Sequence, residues 1–326
     1  MRAPEFWSRS ETPPFWAWPL APAAWAYSAA GAIKQRFARP KAVSVPVFCI
    51  GNLTAGGVGK TPVALTFARQ LCNRGLPPFF LSRGYGGRLK GPVRVDPDIH
   101  SAREVGDEPL LLSSTAPVIV SADRAAGAAM AVSLGARAIV MDDGFQNFGL
   151  AKDLAVVVAD GQQGFGNRQV LPLGPLREPV ARGLARADAV VQVGGGAPLP
   201  VADTPVLQAR LRSLAMAPKG PLVAFAGIGR PDKFFDSLRD AGGQLADAVP
   251  FPDHHHFSDG DLSGLAARAR AFGATLITTE KDAVRLPPAI RADVVTFPVE
   301  AVFADPLALD RLIAAGLERF AARAAA

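Results

Sequence analysis

Eleven residues, Gly51-Asn52-Leu53-Thr54-Ala55-Gly56-Gly57-Val58-Gly59-Lys60-Thr61, join an apolar stretch to a helical pattern. Glycines in that setting let main-chain N–H groups close around a phosphate, and the helix N-terminus adds a favourable dipole. Thr54, Ala55, Gly56, Gly57, Val58, Gly59, Lys60 and Thr61 are the expected triphosphate-binding loop. Lys60 is placed to reach the β- and γ-phosphates, and the Thr61 hydroxyl to help hold Mg²⁺. The first glycine of the strict G-x-x-x-x-G-K-[ST] pattern falls on Thr54. Strand, loop, Gly-Lys-Thr and helix nevertheless agree.

A triphosphate site also needs a carboxylate at the tip of a neighbouring buried strand. The apolar run Ala138–Met141 ends in Asp142 and Asp143, followed by Gly144-Phe145-Gln146. Adjacent like charges are costly without a cation, which points to metal binding; a solvated Asp-Asp-Gly turn is the alternative. Asp107 and Glu108 form a second acidic pair ahead of a leucine run, where a helix N-cap region is the plainer reading. Arg83, in a Gly-rich loop, and Arg124, after a strand, either neutralise a transferring phosphate or pair with surface acids. Three of the four histidines, His254, His255 and His256, are consecutive after Asp253. Neighbours in sequence rarely all reach one ion, and no cysteine group completes a zinc shell. A carboxylate-tuned proton shuttle and a merely polar loop both remain open.

Apolar strands alternating with helical patterns must position these groups. Strands are expected at Val43–Ile50, Pro78–Leu81, Val118–Val120, Ala138–Met141, Leu154–Ala159 and Ala189–Val193, with helices at Pro62–Arg74 and Ala122–Leu134 among them. This reads as an α/β fold with a parallel sheet covered on both faces. A second series predicts strands at Leu222–Ala226 and Thr275–Thr278 and helices at Asp232–Ala241 and Ser258–Phe272. The expected division is an aromatic segment over 1–40, a P-loop domain over 41–212 and a smaller α/β domain over 213–326. Whether the C-terminal tail packs back on the first domain is left open.

The 326-residue length favours two domains, and 49% hydrophobic against 20% charged residues excludes a disordered chain or coiled coil. Two cysteines cannot build a disulfide framework, which favours a reducing compartment. The +6 net charge suits an anionic partner without selecting one, and the dispersed basic residues with no aromatic–basic platform argue against nucleic acid. Residues 14–33 carry no charge and contain Trp16, Trp18, Trp25 and Tyr27, with Lys34, Arg36, Arg39 and Lys41 following. Pro19 and Pro22 interrupt the run. An interfacial helix on a membrane surface fits better than a span, a signal peptide or ordinary packing.

Together these stretches resemble the tetraacyldisaccharide 4′-kinase family, the lipid A kinases of Gram-negative bacteria. The likeness rests on GNLTAGGVGKTP (51–62), LSRGYGG (81–87), VGDEP (105–109), SADR (121–124), DDGFQ (142–146), LPLGPLREP (171–179), FPDHHHF (251–257) and TTEKDAVRL (278–286), in order along nearly the whole chain. The resemblance implies a P-loop NTPase-like fold and transfer of the ATP γ-phosphate to the 4′-hydroxyl of an acylated glucosamine disaccharide 1-phosphate. The product is lipid IVA, and the site is the cytoplasmic face of the inner membrane, with no protein partner implied. It also implies that Asp107 and His254 are a catalytic pair, that Thr61, Asp142 and Asp143 serve Mg²⁺, and that Glu108, Arg83, Arg124, Gln146, Arg177 and Glu178 support the substrate. The assignment among His254, His255 and His256 stays open. Asn147 and Val58 depart from the family's usual His and Thr or Ser. A P-loop regulatory or assembly ATPase is the alternative, but it leaves FPDHHHF and TTEKD without a role.

Overall fold

The structure, a computed structural model, describes residues 4–8, 12–201 and 203–325. Residues 1–3 and 9–11 of the expected aromatic segment lie outside the described residues. The larger of two sheets contains β1 (Val47–Gly51), β2 (Pro78–Ser82), β3 (Val93–Arg94), β4 (Val118–Val120), β5 (Ala138–Asp142), β6 (Leu154–Asp160), β7 (Ala189–Val193) and β8 (Val206–Ser213). The smaller sheet contains β9 (Pro221–Ala226), β10 (Gln244–Pro250), β11 (Thr275–Thr279) and β12 (Val295–Phe297). A last strand, β13 (Val299–Phe303), returns to pair antiparallel with β8 at the edge of the larger sheet.

Strand order in the larger sheet is β13-β8-β7-β6-β1-β5-β2-β4-β3, parallel except at its two edges. The smaller is β10-β9-β11-β12 and wholly parallel. β1 is buried on both faces. Phe48 and Ile50 join the cluster under the helix Lys60–Asn73, and Val47 and Cys49 join the one on the opposite face. Continuous apolar runs rather than alternation follow from that double coverage. The C-terminal helix Pro306–Ala325 closes the first face. A Cβ at Gly316 would come within 2.9 Å of the Phe48 ring, so only glycine permits that approach.

The expected strand over 43–50 starts only at Val47. Pro46 has no N–H for a ladder, and the Val47 amide is taken by the Asp153 carboxylate at 2.8 Å. The helix expected from Ala122 starts at Arg124, because Asp123 caps it by accepting from the Ala125 and Ala126 amides.

Pro19 lies in a 3₁₀ turn over Phe15–Leu20, and Pro22 in the first turn of the helix Ala21–Arg36, so the prolines join two short elements. Ala17, Ala21 and Ala24 seat this unit on Leu173. Trp16, Trp18, Trp25, Tyr27 and Phe37 remain exposed, Trp25 at 72%. Among the described residues no helix is long and apolar enough to cross a membrane.

Candidate active site

β1 has β5 on one side and β6 on the other, and the helix after β1 leads toward β2 whereas β5 leads toward β6. A crevice opens at the carboxyl ends of strands where connections diverge in this way. The glycine-rich loop lies there. Gly59 adopts φ 87°, a left-handed conformation that lets the loop turn into the helix at Lys60. The Ala55 amide donates to the Pro175 carbonyl at 2.7 Å and the Arg177 amide to the Leu53 carbonyl at 2.7 Å, anchoring the loop to the LPLGPLREP stretch. Val58 is buried in the core, so a hydroxyl-bearing residue there would lose packing.

Lys60 is 8% exposed, and its Nζ lies 3.8 Å from Asp143 Oδ1. Arg177 grips Asp143 with two hydrogen bonds of 2.8 and 3.0 Å. Burial opposes ionisation of Asp143, yet Lys60 and Arg177 outweigh it and hold the carboxyl below its usual range. Asp142 is treated differently. It is 1% exposed, Thr61 Oγ1 approaches Oδ2 at 3.5 Å, and buried Oδ1 has no partner. Burial, reinforced by the negative charge of Glu108 and opposed by Lys60, pushes its pKa up to about 8. Asn52 Oδ1, just past β1, and Arg124 Nε, at the start of the helix after β4, are also buried without partners.

Buried polar atoms without protein partners are available to an ion, water or ligand bound beside them. An unpaired carboxylate beside the Thr61 hydroxyl has the oxygen chemistry that Mg²⁺ takes, so the residues fit that ion. Among the described residues no group of three or more His, Cys, Asp or Glu forms a metal cage. Mg²⁺ bound through one or two protein oxygens and nucleotide phosphates is the usual arrangement.

The Asp142 geometry carries a testable consequence. Its folded-state pKa lies above the unfolded value, so its contribution to stability is full at low pH and is lost as pH rises through about 8. Metal-free protein is expected to melt at progressively lower temperature than Asp142→Asn as pH rises from about 4 to about 8, and saturating Mg²⁺ with nucleotide should close the gap. Parallel melting curves across that range would contradict it.

Opposite the loop, Asp107 and Glu108 occupy the first turn of the helix Asp107–Ser113, where its dipole favours negative charge. His254 Nδ1 lies 3.0 Å from Asp107 Oδ2, across 147 residues of chain. His255 instead stacks on Phe251 at 4.7 Å and pairs with Asp261 at 3.1 Å, and His256 is exposed. Only His254 of the three reaches Asp107.

Two cations that the sequence reading left without a role complete this wall. Lys281 Nζ sits 3.2 Å from Glu108 and 3.4 Å from His254 Nε2, and Arg285 is buried against Asp107. Burial opposes ionisation of Asp107, but the His254 hydrogen bond and the Lys281 and Arg285 charges hold its carboxyl far below the usual range. Burial also works against the Lys281 charge, and Glu108, Asp107 and Asp253 raise its pKa above normal. The available signal was the i, i+4 spacing of Lys281 and Arg285 in a chain with two unpartnered acids at 107 and 108. A third cross-sheet contact, Asp160 with Arg230 and with Lys233 at 2.7 Å, had no such signal.

The loop, Glu108, Asp143, Arg177, His254 and Lys281 all line one cleft of about 500 Å³ between the sheets. Glu178 does not. It is buried in an ion pair with Arg186 at 2.9 Å and accepts from Gln146 at 3.1 Å. Gln146 Oε1 in turn lies 3.4 Å from Arg177, so Gln146 and Glu178 brace the residue that clamps Asp143. Arg83 is exposed, whereas Arg124 is buried. Burial and the nearby Arg83 charge lower the Arg124 pKa to about 10. Asn147 caps its turn by accepting from the Gly149 and Leu150 amides.

A glycine-rich loop at a helix N-terminus facing a carboxylate–imidazole pair supplies the kinds of group that phosphoryl transfer to a hydroxyl needs. Comparison with known proteins agrees. The family model for tetraacyldisaccharide-1-P 4′-kinase matches residues 16–318. The tetraacyldisaccharide 4′-kinase of Gluconacetobacter diazotrophicus is 54% identical, over 98% of this chain and 99% of that one. The enzyme of the same name from Rhodospirillum centenum is 50% identical over 96% of each. The crystal structure of LpxK from Aquifex aeolicus in complex with ATP superposes with a TM-score of 0.76 at 25% identity, covering 93% of this chain and 99% of that one. With the family model spanning nearly its whole length and relatives at half identity or more, the chain belongs to the tetraacyldisaccharide 4′-kinase family.

Proposed function

We propose that this chain transfers the γ-phosphate of ATP to the 4′-hydroxyl of an acylated glucosamine disaccharide 1-phosphate, giving lipid IVA at the cytoplasmic face of the inner membrane. The observation that carries this reading is the shared cleft, with the glycine-rich loop on one wall and Glu108 and His254 on the other, the His254 ring being backed by buried Asp107. Loop amides and Lys60 hold the triphosphate, and Arg124 and Arg177 add positive charge near the acids that flank it. Thr61 and Asp142, with Asp143 beside them, would hold Mg²⁺, and the chemistry it would supply is neutralisation of phosphate charge. The His254 Nδ1–H donates a hydrogen bond to Asp107, which leaves Nε2 to take the proton of the sugar hydroxyl as it attacks. Glu108 fixes Lys281 beside that nitrogen.

Acyl chains bring such an acceptor to a membrane surface, since each buried CH₂ contributes about 0.8 kcal/mol. The exposed Trp16, Trp18, Trp25 and Phe37, followed by basic residues, support peripheral docking there. The test is incubation with ATP, Mg²⁺ and the disaccharide in anionic vesicles. A product heavier by one phosphoryl group and co-flotation of enzyme with vesicles are expected. ATP hydrolysis without a phosphorylated lipid would sink the kinase reading, and enzyme left in the aqueous layer would sink the docking.

A further inference from the structure

We propose that Arg285 is the positioning residue that assembles the Asp107–His254 pair across the cleft, by binding the side chain of one and anchoring the backbone of the other. This rests on the kinase reading above.

The guanidinium is 2% exposed and each of its three nitrogens is engaged. Nε donates to Asp107 Oδ2 at 2.9 Å, and Nη2 donates to the same oxygen. Nη1 donates to Asp282 Oδ1 at 2.8 Å and to the Gly227 carbonyl at 2.9 Å. That carbonyl also accepts the His254 amide at 3.0 Å. One planar group therefore fixes the Asp107 carboxylate, which belongs to the larger-sheet unit, and the turn that presents His254 from the smaller-sheet unit.

Asp282 holds the guanidinium in place. It is fully buried, accepts the Gly227 amide on Oδ1 at 3.1 Å, and meets the Thr279 hydroxyl on Oδ2 at 2.6 Å. The Asp107 oxygens have little freedom left. Oδ1 accepts the Glu108 amide at 3.0 Å, and Oδ2 is shared by Arg285 and His254. The carboxylate thus faces His254 in one orientation, and the ring meets it through Nδ1. A lysine carries the charge but not the fork that reaches Asp107, Asp282 and Gly227 together.

The experiment compares wild type, Arg285→Lys, Arg285→Met, Asp107→Asn and the Arg285→Met/Asp107→Asn double variant. Arg285→Met is expected to lower kcat about 100-fold, the scale of loss from misplacing a reacting group by about 1 Å, with KM for ATP unchanged. Arg285→Lys should recover part of the loss. In the double variant the two losses should not multiply, because the residues act as one unit. Nitrogen-15 spectra of the imidazole should show a fixed Nδ1–H form in wild type and a mixture in Arg285→Met. Near wild-type turnover in Arg285→Met, multiplying losses in the double variant, or an unchanged imidazole spectrum would overturn the proposal. Absence of lipid product from wild type would instead strike the kinase reading, and the spectra would still decide the role of Arg285.

Discussion

Lys60→Ala is expected to lower kcat for phosphoryl transfer about 10²–10³-fold while the protein stays folded. The magnitude is that of removing one preorganised donor from developing charge in a water-poor site. The expectation of an intact fold has a specific basis. Lys60 is the first residue of its helix, where alanine is a good helix former, and Asp143 keeps its two-bond clamp from Arg177 when the ammonium is gone. Lys60→Arg is expected to restore little, because a planar guanidinium does not fit where a compact ammonium approaches phosphate. Single-turnover transfer of labelled phosphate, read beside a melting curve, checks both halves. Turnover within tenfold of wild type would remove Lys60 from the chemistry.

His254→Ala is expected to lower kcat by about 10²–10⁴-fold, the range for losing a general base, with ATP affinity preserved. The His254 side chain is 35% exposed, so its removal leaves no large cavity, and the melting temperature should change little. Asp107→Asn should show a comparable kinetic loss together with a clear drop in stability. The Arg285 side chain would then sit buried with half of its counter-charge removed, a change costing about 3–5 kcal/mol. The contrast separates the two partners: activity without stability for the histidine, both for the aspartate. An active His254→Ala would return the proton-acceptor role to another group.

The legible parts of this protein are those whose physics is local. Val118–Val120 and Ala189–Val193 occupy the bounds expected for them, since buried parallel strands need unbroken apolar runs. The loop between β1 and the helix from Lys60 was legible for a related reason: a strand, a cluster of glycines and a helix start within a dozen residues mark a tight strand-to-helix turn. Boundaries moved where a side chain took over a backbone group, as Asp153 does at Val47 and Asp123 at Ala125.

Chain order alone thus determined that a glycine-rich loop between a strand and a helix precedes an acid-tipped strand in an α/β protein, and that an aromatic segment stands ahead of both. Only the tertiary structure decided that His254 rather than its neighbours meets Asp107, and that Asp143 is clamped while Asp142 keeps an unpartnered oxygen. It also decided that Glu178 braces the site from outside the cleft. Contacts such as His254 to Asp107 and Arg285 to Asp107 span 147 and 178 residues. Local spacing places no restraint on groups so far apart; the packing of two sheets around one cleft does.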